Sequence, residues 1–180
     1  MSQDLQKICI LSGPSDKIDR SRAEAGLVYS KSEGLNVPFK ILGAGPDLYR
    51  ALSHFRAFEE ELIDSEVYCE RMGGLDHHLS LYLFLERNGV DIEPVITSVT
   101  LVQNVLHGFE GEQDGRYGIA TDRWHFGKFE KVADSLKRKG RINQSLEFFN
   151  VESDGNYYGW VQRRASEAKT RLELARVKRA

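Results

Sequence analysis

Apolar and polar positions follow two rhythms along the chain. Short contiguous apolar runs recur between longer stretches in which apolar residues return every third or fourth position. A contiguous run of strand length suits a strand covered on both faces, and recurrence at three and four residues suits a helix with one apolar side. The runs are residues 7–13 (KICILSG), 39–44 (FKILGA), 92–99 (IEPVITSV), 117–120 (YGIA) and 145–151 (SLEFFNV). Pro94 lacks an N–H, so the third run is expected to pair only from that residue onward.

Between the runs lie the helical stretches. Residues 20–34 carry Ala25, Val28 and Tyr29 at helical spacing, with Gly34 as a stop. Pro46 and Asp47 open a long stretch, 47–70, whose apolar face is Leu48, Leu52, Phe55, Phe58 and Leu62. Residues 76–88 turn Leu79, Leu83 and Tyr82 inward. Shorter helices follow at 100–109 and 126–139. The last, 157–180, places Val161, Ala165, Ala168, Leu172 and Ala175 on one side.

The order β-α-β-α-α-β-α-β-α-β-α predicts an α/β, Rossmann-like three-layer fold. It has an open, mainly parallel sheet of about five strands, right-handed crossovers and helices on both faces. One domain over residues 1–180 is expected, with 47–70 as a helical cap insertion.

Composition narrows the class. The chain has 180 residues, 41% apolar and 29% charged, which suits a globular protein with a sizeable core. A formal net charge of −2 argues against nucleic acid as the partner, since phosphate backbones call for a basic face. Cys9 and Cys69 form neither a disulfide framework nor a zinc spacing, and Cys9 reads as a small buried hydrophobe. No window has the 18 or more apolar residues of a membrane span, and the opening MSQDLQK has no apolar signal segment. The expectation is a cytoplasmic protein with no membrane contact.

Polar residues gather where each strand gives way to a helix, the edge at which open parallel sheets bind ligands. The first junction offers Ser12, Gly13 and Asp16, with Arg22 beyond. The second offers Gly43 and Gly45, and the third Ser98 and Asn104. The fourth offers Thr121, Asp122, Arg123, His125 and Lys128. Helix N-termini there could bind an anion, Arg22 and Lys128 could neutralise it, and His125 is the group that titrates near neutrality.

Each residue also has a plainer reading. The glycine pairs serve as turns, and Thr121 or Asp122 caps a helix. Arg22 pairs with Asp19 or Glu24 on the surface. His125 packs on Trp124, and Asn104 satisfies buried backbone. Gly43-Ala44-Gly45 falls short of a dinucleotide fingerprint, because the third glycine is missing and the turn follows the second strand. Asp76, His77 and His78 suggest a metal, but neighbouring helical side chains diverge by about 100°, so no metal is assigned.

The order of these motifs resembles the SanA/ElyC/YdcF-like family, long labelled a domain of unknown function. A strand ends in a glycine turn at Gly13, followed by an arginine-led helix, Arg22-Ala23-Glu24-Ala25 through Tyr29. Ile41-Leu42-Gly43-Ala44-Gly45 is similar to I-L-x-S-G-G, with alanine for serine. Residues 98–104 are similar to S-x-N-T-x-E-N and keep Ser98 and Asn104. Residues 121–128 are similar to T-S-x-x-H-x-x-R, with Thr121, His125 and Lys128. The resemblance spans about residues 7–151 and implies a Rossmann-like fold with a polar pocket at the strand ends.

The reading that results is a soluble YdcF-like protein binding an anionic, nucleotide-like or phosphate-bearing small molecule. S-adenosylmethionine or another nucleotide is the cofactor class considered. In this reading His125 is the general acid or base and Asp122 its orienter, for a transferase or hydrolase. Ser12, Gly13, Asp16, Arg22, Gly43, Gly45, Ser98, Asn104, Thr121 and Lys128 make up the binding set. The alternatives are a non-catalytic binding protein on the same fold and a protein-interaction module using the helices at 47–70 and 157–180.

Overall fold

The computed structural model describes residues 5–13, 15–44, 47–72, 76–93, 98, 100–151 and 160–179. Among these, four strands form one sheet, β1 (Leu5–Leu11), β2 (Phe39–Leu42), β3 (Arg116–Asp122) and β4 (Ser145–Val151). Its order is β2-β1-β3-β4 and every pairing is parallel. The helices are α1 (Asp16–Ser32), α2 (Asp47–Glu59), α3 (Ser65–Met72), α4 (Asp76–Arg87), α5 (Leu101–Phe109), α6 (Arg123–Arg138) and α7 (Trp160–Arg176). The Rossmann-like three-layer architecture is as expected, but with four strands rather than five. Of the run at 92–99, Ile92 forms an isolated parallel bridge to Phe39 on the outer side of β2. Residues 94–97 and 99 lie outside the described residues.

The contiguous apolar runs are two-faced cores read along one strand. In β1, Ile8 and Ile10 point to a core built with Ala23 and Leu27 of α1, Leu48 of α2, and Leu81 and Leu85 of α4. Cys9 and Leu11 point the other way, to Val102, Val105 and Phe109 of α5 and Phe129, Val132 and Leu136 of α6. Side chains alternate across a strand, so a strand with helices on both sides needs every position apolar. Cys9 is fully buried, as expected, and burial pushes its thiol up to about 12.

Helix boundaries and faces depart from the sequence reading in four places. First, α1 starts at Asp16, not residue 20. It buries Ile18, Asp19, Arg22, Ala23, Gly26, Leu27 and Ser30, while Val28 is 66% exposed. Second, the single helix expected over 47–70 breaks after Glu59. Glu61 takes the left-handed conformation (φ 56°), and Leu62 N–H reaches back to Ala57 O at 2.8 Å, a helix stop usually built with glycine. Asp64 then caps α3 by accepting Val67 N–H at 2.8 Å. Leu62 sits past the stop and is 71% exposed.

Third, α6 begins at Arg123, three residues before the apolar rhythm does, because Asp122 caps it. Fourth, α7 turns a different side inward. Ala165, Ala168, Leu172 and Ala175 are exposed, whereas Ser166, Thr170, Leu174 and Val177 face the body of the protein. Among the described residues no helix is long and apolar enough to cross a membrane.

The topology fixes where a site can form. From β1 the chain moves outward through β2 to the Ile92 bridge, then returns to lay β3 on the opposite side of β1. The order therefore reverses between β1 and β3. The C-terminal ends of these two strands, Leu11 and Asp122, border the crevice that such a reversal opens.

Candidate functional site

Arg22 reaches into this crevice from α1. It is fully buried, with Nη1 donating to Leu11 O and Nη2 to Asp122 Oδ2. The sequence alternatives for Arg22, a surface pair with Asp19 or Glu24, are not what forms; Glu24 pairs with Arg20 at 3.1 Å. Asp122 has three further tasks. Its Oδ1 accepts Trp124 N–H (3.1 Å) and His125 N–H (3.0 Å), capping α6, and its Oδ2 holds His125 Nδ1 at 2.8 Å. Burial alone would raise the Asp122 carboxyl. The His125 hydrogen bonds and the charges of His125 and Arg22 outweigh it and hold Asp122 well below the ordinary carboxylate range.

Burial lowers His125's affinity for a proton, against the pull of Asp122, and Arg22 Nη2 lies 3.3 Å from its Nδ1. With Nδ1 2.8 Å from Asp122 Oδ2, a neutral ring that donates there leaves its lone pair on Nε2. This is the arrangement of a histidine base oriented by a carboxylate. Trp124 packs edge-on against the imidazole, with ring centroids 4.3 Å apart. The cap reading of Asp122 and the packing reading of His125 thus hold alongside a chemically competent geometry.

A second polar cluster stands at the tip of β1. Asp19, fully buried on α1, accepts Gly13 N–H and, at 3.2 Å, Ser12 Oγ. Ser12 Oγ also lies 3.2 Å from His78 Nδ1 of α4. Burial pushes the Asp19 carboxyl up to about 7, although the Gly13 N–H, Arg22 and Ser12 all favour its charged form. The two clusters meet at Gly13. A Cβ there would lie 3.0 Å from Arg22 Nη1, 3.2 Å from Asp19 Oδ1 and 2.6 Å from Ile18 Cγ2.

Other expected residues fall into two groups. Gly43 and Asn104 meet at the tip of β2, beside Ser12, whose N–H donates to Leu42 O at 2.7 Å. Asn104 is buried, and with its amide nitrogen turned toward acceptors it donates to Ser98 O (3.0 Å) and Thr100 O (3.2 Å). Ser98 Oγ pairs with His107 Nδ1 at 2.9 Å. The plainer reading of Asn104, a side chain satisfying buried backbone, describes what it does. Asp16 is exposed in the first turn of α1. Lys128 faces α7 instead of the strand tips, donating to Ser166 Oγ at 2.5 Å. Gly45 and the side chains of Asp76 and His77 lie outside the described residues. Among the described residues no cluster of three metal-ligating side chains occurs.

A pocket of about 270 Å³ is lined by Thr121 and Arg123, the chain neighbours of Asp122, and by Phe126, Phe148 and Phe149. Among the described residues, the buried Thr121 Oγ1 has no hydrogen-bond partner. Arg123 belongs to the junction cluster seen in the sequence, and His78 enters there only as a metal candidate; Asp19, apart from a surface pair with Arg22, and the three phenylalanines are missed. Asp19 had a usable signal, since it lies one turn before Arg22 on the same side of α1. The phenylalanines had none, and nothing local places His78 here, because only the fold brings them to this edge. Comparison with protein-family models, with curated proteins and with solved structures finds no match to the chain.

Proposed function

We propose that this protein binds an anionic, nucleotide-like small molecule at the crevice between β1 and β3 and acts on it by acid–base chemistry. One observation carries the reading. A histidine is held at Nδ1 by a buried carboxylate, Asp122, whose chain neighbours Thr121 and Arg123 line a phenylalanine-walled pocket. A planar ring would lie among Phe126, Phe148 and Phe149. Its acidic group would meet Arg123, and the reacting atom would face His125 Nε2.

Arg22 enters this reading as the residue that positions Asp122, since its Nη1 and Nη2 bond to protein. The backbone anion sites at Gly13 and at the start of α6 are filled by Asp19 and Asp122. Side chains at the rim must therefore meet the ligand's charge. Kinship with the SanA/ElyC/YdcF-like proteins belongs to the same proposal. Gly13, Thr121 and His125 support it, and Ala44, Leu101 and Gln103, where that family has polar residues, weigh against a shared ligand.

The test is thermal unfolding with ADP, S-adenosylmethionine and inorganic phosphate, on wild type and on Arg123→Ala and Phe148→Ala. A nucleotide that raises the midpoint of wild type, and of neither variant, supports the site. No shift of wild type with any of the three overturns it. A second reading, a binding protein without turnover, is favoured by the way Arg22 and Asp122 satisfy each other. Tight binding without phosphoesterase or methyltransferase turnover would select it.

A further inference from the structure

Ser12 sits between two groups able to exchange its proton. Its Oγ is 3.2 Å from Asp19 Oδ2 on one side and 3.2 Å from His78 Nδ1 on the other. It is partly exposed, unlike Asp19, and it ends β1 just where the crevice opens. Asp19 is held by Gly13 N–H through Oδ1, so Oδ2 is the oxygen facing Ser12. A hydroxyl at a strand tip, fixed between a buried carboxyl and an imidazole, has the parts of an activated nucleophile. From this geometry we infer that Ser12 is a nucleophile whose proton is taken by His78, and that the ligand class includes phosphate esters that it attacks.

The inference rests on the proposed binding crevice and adds a covalent step to it. Ser12 Oγ forms a bond to phosphorus as the ester P–O bond breaks. The hydroxyl proton passes to His78, which returns it to the departing oxygen. Water then cleaves the serine phosphoester, releasing phosphate and restoring the hydroxyl. Asp19 suits this step electrically. With its carboxyl poised at about 7, it need not set a full negative charge against an incoming phosphoryl group, and in its protonated form it donates to Ser12 Oγ while the hydroxyl donates to His78. Arg22 Nη1 and Asp19 Oδ1 flank the same face of Gly13, 3.0 and 3.2 Å from where a Cβ would lie.

A fluorophosphonate probe tests the step on the intact chain without knowledge of the natural ligand. Ser12 Oγ would displace fluoride from phosphorus, leaving a stable adduct that peptide mass spectrometry locates. One adduct on Ser12 is expected in wild type and none in Ser12→Ala. His78→Gln is expected to label at least tenfold more slowly. Unfolding midpoints establish that each variant is folded. No adduct in wild type, an adduct elsewhere, or an unchanged rate in folded His78→Gln overturns the inference. Nucleotide stabilisation that persists without labelling would remove the nucleophile and leave the binding proposal standing, and labelling without any nucleotide stabilisation would do the reverse.

Discussion

Arg22 and Asp122, a hundred residues apart in the chain, form an ion pair in which each side chain is 1% exposed. It ties the first crossover helix to the tip of β3. Taking two charges out of water is costly, and their attraction repays this only when the remaining polar atoms are satisfied. Here Leu11 O, the α6 N–H groups and His125 supply most of that, and Arg22 Nε has no partner among the described residues.

Removing one member should expose the asymmetry. Arg22→Met leaves a buried carboxylate with one counter-charge fewer and should cost about 3–5 kcal/mol in urea unfolding. Asp122→Asn keeps an oxygen for the α6 cap and should cost less than Asp122→Ala, which loses cap and charge together, by about 1 kcal/mol. An Arg22→Met protein within about 0.5 kcal/mol of wild type would show that the pair does not hold this edge together.

Asp19 predicts a pH dependence of opposite sign to that of most carboxylates. Its folded affinity for a proton, at about 7, lies far above the ordinary carboxyl value. Between roughly pH 4 and 7 the folded protein therefore holds a proton that the unfolded chain has lost. Stability from this group is full below the unfolded value and falls as pH rises through 7. Asp122, whose affinity is depressed, contributes above pH 4 and loses its contribution below it, so the two windows separate. The groups acting on Asp19 are Gly13 N–H, Ser12, Arg22 and Asp16, with His78 one hydrogen bond away. Asp19→Asn should flatten the decline between pH 4 and 7 in urea unfolding, and an unchanged slope would mean that Asp19 is charged throughout.

Two glycines with left-handed backbones separate strain from space. Gly34 has φ 62° and nothing within 4 Å of an added Cβ. Gly43 has φ 89°, and its Cβ would lie 2.5 Å from the Asn104 side-chain amide. Gly34→Ala should cost only the backbone term, about 1–2 kcal/mol. Gly43→Ala should cost roughly 1–3 kcal/mol more, because Asn104 must shift from the carbonyls it serves. Equal costs in chemical unfolding would mean that Asn104 yields freely.

The layers were readable in the sequence because the end of β1, Ile8 to Leu11, is apolar at every position, which only a doubly covered strand requires. The strand-tip location was readable for the same reason, since parallel order places all C-terminal ends on one edge. The face of α1 was not. Counting only apolar residues favours Ala25, Val28 and Tyr29, whereas the true inner face carries Asp19 and Arg22, two charges that hydropathy assigns to solvent. Their burial follows from partners on Ser12, Gly13 and Asp122, which no local pattern contains. The break at Glu61 was hidden likewise, because a glutamate holds the left-handed position where glycine would have announced it. Lys128 misled in the other direction, since its place in a motif says nothing of Ser166, which it meets across the α6–α7 groove.

The protonation of His125 offers the closest check on the site itself. Three influences act on it: burial lowers its affinity for a proton, Asp122 raises it, and Arg22 and Lys128 lower it. Each predicts a direction when removed. In an NMR titration of ring-labelled protein, Asp122→Asn should move the His125 midpoint down, because the cation loses its counter-charge. Arg22→Met should move it up, because a nearby positive charge is gone. Lys128→Met should also move it up, and by less, because that ammonium is turned to Ser166. Nitrogen shifts in wild type at neutral pH should place the ring proton on Nδ1, the atom facing Asp122. A ring found protonated on Nε2 could not present a lone pair there. If the midpoint also rose in Asp122→Asn, the carboxylate would not be orienting the imidazole, and the acid–base reading of this edge would fall with it.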